Sequence, residues 1–154
     1  MGRMSDTADR LAIIEACTRM AWYADQRELN RLGEVFADSV TLDFTSSHGG
    51  VPVTLTPAQI VEVWAGLLGA FDATHHLVTN HLVTLEGDSA VCAAAFHATH
   101  RLSDPSGGPL WTQGGTYQFD LVRVEGVWKI AGVVMAATWA DGNRNLMSLA
   151  AGTR

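Results

Sequence analysis

Charge is scarce in this chain. Charged side chains make up 17% of its 154 residues, against about 25% in ordinary soluble domains. A surface so short of charge implies that part of it is covered, as the wall of a pocket or as a contact between subunits. The charge that exists leans acidic, with a net value of -6, and no basic cluster occurs. That balance argues against nucleic acid and against an anionic membrane surface as partners. No apolar run approaches the ~20 residues a membrane span needs. The opening stretch, MGRMSDTADR, lacks the apolar core of a signal peptide. Only two cysteines occur, Cys17 and Cys92, each inside an apolar run and far apart in sequence. They read as buried thiols in a reduced, cytoplasmic setting. Internal repeats, low-complexity blocks and linkers are also missing. The chain therefore reads as a flexible N-terminus over 1–7, a single domain over 8–141, and a terminal tail over 142–154 that is a candidate lid.

What is present is apolar and patterned. Hydrophobic residues account for 47% of the chain, enough for a core of its own. Residues 8 to 24 carry apolar side chains at helical spacing. Leu11, Ile14, Thr18, Ala21 and Asp25 form one stripe, and Ile13, Cys17, Met20 and Ala24 a second beside it. A second helix is predicted over about 27–36, and a short strand over 40–44. Residues 45–52 read as a loop. Thr56 before Pro57 is an N-cap followed by proline at the first helical position, which predicts a helix running to about Gly69. The pattern then changes to alternation. Strands are predicted over 75–85, 89–102, 110–124 and 127–139, with turns at Glu86-Gly87-Asp88 and Glu125-Gly126, and a short terminal helix over 143–151. Helices first and then a meander of long antiparallel strands predict an α+β domain: a curved, mostly antiparallel sheet wrapped as a cone around the N-terminal helices.

The chemistry-bearing residues are one acid and two imidazoles. Asp25 closes an apolar helix stripe, and a carboxylate withdrawn from water needs a partner. His75 and His76 point to opposite faces of their strand, so one of them faces the interior. His100 shares its strand face with Cys92, Ala94, Phe96 and Ala98, small or apolar residues that leave room for a ligand. An Asp with two His could also form a facial metal triad. The short His-x-Asp spacing often seen in such sites is absent, so no metal is expected. Phe96, Met135 and Trp139 are candidates for an apolar pocket wall. Tyr23, two residues before Asp25, reaches such a pocket only if the helix ends there.

Four segments together resemble the nuclear transport factor 2-like superfamily, in particular its SnoaL-like and scytalone dehydratase-like branches. They are Ala24-Asp25 with Leu32, Phe36, Val40, Leu42 and Phe44; Thr74-His75-His76-Leu77-Val78; Ala98-Thr99-His100-Arg101; and Gly126-Val127-Trp128-Lys129-Ile130-Ala131-Gly132. The resemblance implies the cone-shaped fold and selects His76 rather than His75 as the inward imidazole. It places Asp25, His76 and His100 on the active-site acid and histidine positions of scytalone dehydratase, and Phe44 and Tyr117 on pocket-lining positions. The two tyrosines that polarise the substrate carbonyl there correspond to Ala24 and Phe44 here. Two further polar positions correspond to Gly115 and Tyr117.

The implied activity is a cofactor-independent dehydration of a small hydrophobic cyclic molecule. In this reading His76 acts as base, and His100, supported by Asp25, acts as acid, with the two histidine roles interchangeable. Isomerisation or polyketide ring closure needs the same parts, and a non-catalytic binding domain is the alternative of another class. The low charge content and the apolar outer strand positions suggest a homodimer or homotrimer.

Overall fold

The computed structural model describes residues 2–103 and 106–152. Met1 and residues 153 and 154, parts of the expected flexible N-terminus and terminal tail, lie outside them. The chain begins with helix α1 (Gly2–Asp25), followed by a short helix α2 (Leu29–Glu34) and strand β1 (Phe36–Asp43). A single helical turn α3 (Thr45–His48), strand β2 (Val53–Leu55) and helix α4 (Pro57–Gly69) come next. The long strands are β3 (Ala73–Glu86), β4 (Ser89–Arg101), β5 (Leu110–Val124) and β6 (Val127–Gly142), and helix α5 (Asn145–Gly152) ends the chain.

The six strands form one sheet in the order β2-β1-β6-β5-β4-β3. Among the described residues only the β1–β6 pairing is parallel. The mixed α+β architecture, with the N-terminal helices packed on a curved six-stranded sheet, is the cone expected from the sequence.

Local sequence explains most of these boundaries. Thr56 accepts from the Gln59 backbone N–H while the Gln59 side chain accepts from the Thr56 backbone N–H, a complete capping box that fixes the start of α4. Glu125 and Gly126 both have positive φ, 51° and 78°, the signature of a two-residue turn whose twist matches its flanking strands. Such a turn sets the β5–β6 register at Val124 opposite Val127.

Several expectations are corrected. Helix α1 starts at Gly2 rather than near residue 8. Its core face is the stripe Ile13, Cys17, Met20 and Ala24, whereas Leu11 is 64% exposed. Phe36 lies in β1 instead of closing the second helix. The segment read as a loop over 45–52 contains α3, and β2 follows directly after it.

Strand parity is interrupted in β3. His76 and Val78 face the interior, but Asn80 and Leu82 do not continue that face. A bulge between Thr79 and Leu82, with Asn80 at φ 58°, shifts the alternation, so that Val83 and Leu85 pack on the core and Leu82 is 74% exposed.

The interior is divided. Near the β3–β4 and β5–β6 turns it is solid, filled by Phe119, Leu121, Ile130 and Val133 from the sheet against Ile13 and Cys17 of α1. Cys17 meets Cys92 here, both as free thiols. The first turns of α1 are tied down by Asp9, which accepts from the Trp128 indole Nε1–H and pairs with Arg123. Toward the other end of the strands the side chains shrink, with Ala98, Ala24 and Ala21 on the walls, and a cavity opens. Helix α5 closes over that end, its Leu146 and Ala150 packed with Phe71 and Trp111.

Candidate active site

The cavity measures about 510 Å³ and is mostly apolar. Helix α1 supplies Met20, Ala21 and Ala24; α4 supplies Trp64, Leu67 and Leu68; the sheet supplies Val78, Phe96, Tyr117 and Met135; α5 supplies Met147. His76 and His100 interrupt this lining. The two imidazole centres lie 5.7 Å apart with their planes at 84°.

Asp25 stands behind His76. As the last residue of α1, it projects onto the start of β3. Its Oδ1 accepts from His76 Nδ1 at 2.7 Å and from the Thr74 hydroxyl at 3.0 Å, while Oδ2 accepts from the His76 backbone N–H at 2.7 Å. Burial by itself would raise this carboxyl, but the hydrogen bonds and charge of His76, with Thr74, outweigh it and hold the group below its ordinary value. Asp25 is therefore ionised at neutral pH.

Arg27 completes the arrangement. Its backbone turns into the left-handed region at φ 60° just beyond the helix end. That turn lets the guanidinium reach back to the Ala24 and Leu68 carbonyls and to Thr74 Oγ1, at 2.8, 2.8 and 2.9 Å. Because Arg27 donates to the Thr74 oxygen, the Thr74 hydroxyl proton is directed at Asp25.

Hydrogen-bond direction fixes the imidazole tautomers. A carboxylate oxygen can only accept, so His76 carries a proton on Nδ1, and in the neutral ring Nε2 is the bare nitrogen. His100 Nδ1 lies 3.3 Å from the Trp111 carbonyl oxygen, also an acceptor only, so the same tautomer holds there. His100 is 7% exposed. Burial first, and then the neighbouring His76, push its pKa down to about 4. It is thus neutral at ordinary pH, with its proton on Nδ1 toward Trp111 and Nε2 an acceptor. Asp25 hydrogen-bonds to His76 and acts on His100 through its charge alone.

The structure brings Asp25, His76 and His100 together and sets Phe44, Phe96, Tyr117 and Met135 in the cavity wall. Burial, with the Asp25 charge behind it, raises the Tyr117 phenol well above its usual range, so its hydroxyl stays protonated.

Two expected residues are elsewhere. Tyr23 does not line the cavity, because α1 continues to Asp25 and carries it round to pack on the core from another side. Trp139 is 49% exposed and stacks beside His97. The β5–β6 register slips between Gly114 and Gly115, so Gly115 faces Ala137 but Gly114 faces Trp139. The extra residue, Thr138, turns Trp139 to the outer face.

Sequence reasoning missed Thr74, Arg27, Gln113 and His48. Thr74 shares strand parity with His76 and was legible in principle. Arg27 carried no signal, since its role depends on a left-handed backbone turn. Among the described residues, no three His, Cys, Asp or Glu side chains are grouped to hold a metal ion, and no helix is long and apolar enough to cross a membrane.

The family described as the SnoaL-like domain matches residues 5–134. Among solved structures, the Kfla4162 protein from Kribbella flavida is similar, with 32% identity, a TM-score of 0.87, and coverage of 95% of this chain and 99% of that one. A candidate scytalone dehydratase from Novosphingobium aromaticivorans shares the fold at 17% identity, TM-score 0.80, covering 92% of each chain. The hexachlorocyclohexane dehydrochlorinase LinA-type3 from Novosphingobium barchaimii does so at 15% identity, TM-score 0.78, covering 92% and 94%. No curated protein matches the chain in sequence.

Proposed function

Since the chain belongs to the family of SnoaL-like domains, we propose that it is a cofactor-independent lyase that eliminates water from a small cyclic molecule beside an activating carbonyl. The observation that carries this reading is the Asp25–His76 pair, with Nε2 of His76 bare at the wall of an apolar cavity. His76 Nε2 takes the proton from the carbon next to the carbonyl, and the ionised Asp25 stabilises the imidazolium that forms. The electron pair left on carbon forms the double bond as the carbon–oxygen bond breaks. His100, neutral and accepting, holds the departing hydroxyl by its hydrogen. The proton on His76 then passes to that oxygen, so one imidazole serves as base and then as acid and water leaves. The Tyr117 hydroxyl supplies a donor to the carbonyl in place of the absent tyrosines. Proton transfer of this kind contributes about 10²–10⁴-fold, enough for a C–H already acidified by its carbonyl.

Helix α5, which carries Met147 and Ser148 into the cavity lining, acts as the lid. Leu77, Leu82, Val91 and Leu110 leave apolar surface exposed on the outer sheet face, which fits a homodimer or homotrimer.

The test uses cyclic β-hydroxyketones, including a β-hydroxytetralone whose loss of water gives a naphthol. Turnover is followed by ultraviolet absorbance and by deuterium entering the carbon beside the carbonyl. Exchange together with dehydration supports the lyase. Exchange without dehydration points to isomerisation by the same groups, and neither signal with any member of the panel sinks the catalytic reading.

A further inference from the structure

The cavity has a second polar region that the proton-transfer chemistry leaves unused. Ser47, His48 and Gln113 lie where the cavity meets a smaller recess of about 380 Å³. His48, Gln113 and Met147 line both spaces. The rest of the recess is walled by Ser46, Ser47, Thr138, Trp139 and Arg144, with Trp111. Among the described residues no acidic side chain lines either space, although the chain as a whole carries a net charge of -6.

This polar region is held in place. Ser46 donates to the Met135 carbonyl at 2.7 Å and accepts from the Ala137 N–H at 3.0 Å, which pins α3 to β6. Ser47 accepts from Gln113 Nε2 at 2.8 Å, which fixes the amide and leaves its second N–H and the Ser47 hydroxyl proton free to donate. His48 follows directly, at the opening. The Arg144 guanidinium rests 5.9 Å from the Trp111 ring centre, and no carboxylate pairs with it among the described residues. Trp111 Nε1 is a buried donor without an acceptor, and such groups are uncommon in a native fold unless a ligand or water completes them. The donors gathered here are the Arg144 guanidinium, the second Gln113 N–H, the Ser47 hydroxyl and Trp111 Nε1, against the single Gln113 amide oxygen as side-chain acceptor.

We infer that the substrate carries a carboxylate at the end remote from its reacting carbon, received by Arg144, His48 and Gln113 at the junction of the two spaces. This rests on the lyase reading above and names its substrate class: a cyclic, largely apolar hydroxy-ketone with an acid group on the opposite side. The ring occupies the apolar walls, the hydroxyl-bearing carbon faces His76 and His100, and the carboxylate meets the donors beneath α5.

The test compares two flat probes of similar shape, naphthoic acid and acetylnaphthalene, titrated into the full chain at neutral pH and read by tryptophan fluorescence. Naphthoate is expected to bind at least tenfold tighter than the neutral ketone. That preference falls to within about twofold in Arg144→Met and in Gln113→Leu, each checked for native circular dichroism. Because Arg144 is exposed, its variant folds. By NMR, naphthoate raises the pKa of His48, and the neutral probe leaves it in place. Equal binding of the two probes, or a preference that survives both variants, overturns the carboxylate site and leaves the lyase reading standing. Failure of both probes to bind overturns both.

Discussion

Asp25 binds His76 twice: one carboxylate oxygen accepts from the imidazole Nδ1 and the other from the backbone N–H of the same residue, each at 2.7 Å. The ring and its own strand are thereby fixed to one group. Rotation of the imidazole would break the first bond, and a shift of β3 along α1 would break the second. The bare Nε2 is aimed at the cavity by this double attachment.

Asp25→Asn keeps the size of the side chain but removes the charge and one pure acceptor. The variant is expected to lose about 10²–10⁴-fold in turnover of whichever β-hydroxyketone the protein accepts, with KM little changed, because the carboxylate acts on the imidazolium and not on the bound ketone. Steady-state kinetics on the two proteins decide it; a variant within threefold of the parent removes Asp25 from the mechanism.

Thr74→Val tests the support beneath the pair. The hydroxyl bridges the Arg27 guanidinium to Asp25 Oδ1, and its loss leaves a half-buried donor and a carboxylate oxygen each short of a partner. A stability loss of about 1–3 kcal/mol is expected, read from urea unfolding, along with a fall in kcat. Stability unchanged within error would show that water replaces the hydroxyl at no cost.

Acid should unfold this protein early. His100 has an ordinary value of 6.5 and a folded value near 4, so between those pH values the unfolded chain binds a proton that the folded chain refuses. Stability therefore rises with pH across that window and is lost on acidification from about 6.5 toward 4, by roughly 3 kcal/mol from this group. Burial lowers His81 as well, in the same direction. Denaturation at a series of pH values should show the slope, and His100→Gln should flatten it. An unchanged slope in the variant would mean the acid sensitivity arises elsewhere.

Gly115→Ala examines the bulge that turns Trp139 away. A Cβ there would lie 2.0 Å from the Ala136 carbonyl oxygen, and backbone cannot swing aside as a side chain can. The variant is expected to lose at least about 1–3 kcal/mol, the usual range for overpacking. At Gly114 a Cβ would meet the Trp139 ring instead. Gly114→Ala, with an exposed ring free to move, should be the milder change. Thermal melts of the two variants give the order, and the reverse order would refute the register drawn here.

Ala98→Leu fills space on purpose. The small Ala98 side chain faces the cavity beside His100, so an added isobutyl group enters vacant volume rather than packed core. The fold should persist or gain stability while binding of acetylnaphthalene disappears. Retained affinity would place the ligand somewhere else.

Much of this was legible in the chain itself. Period and punctuation set the elements: alternation in the four long strands, the Thr56–Pro57 start of α4, and the turn at Glu125 and Gly126 each depend on neighbouring residues, and the structure places them within a few residues of the prediction. Asp25 and His100 could be singled out because a polar residue on an otherwise apolar face is conspicuous, whereas His76 was chosen over His75 by the family resemblance. Two features broke the reading for one reason. The bulges near Asn80 and Thr138 each insert a residue, and a single insertion reverses every later side chain, which is why Leu82 and Trp139 face outward. Strand pairing decides where such slips fall, and pairing is not local.

The sequence by itself determined the α+β order and the apolar interior, because these follow from spacing along one chain, while its resemblance to a known family pointed to the three polar residues. Which imidazole the carboxylate meets, and that the other stays neutral, were decided only by folding. Asp25 reaches His76 across 51 residues, and His100 is packed against Phe71 beyond α4, His76 of β3 and Trp111 of β5. Distances and desolvation of that kind belong to the assembled structure, and they set the chemistry.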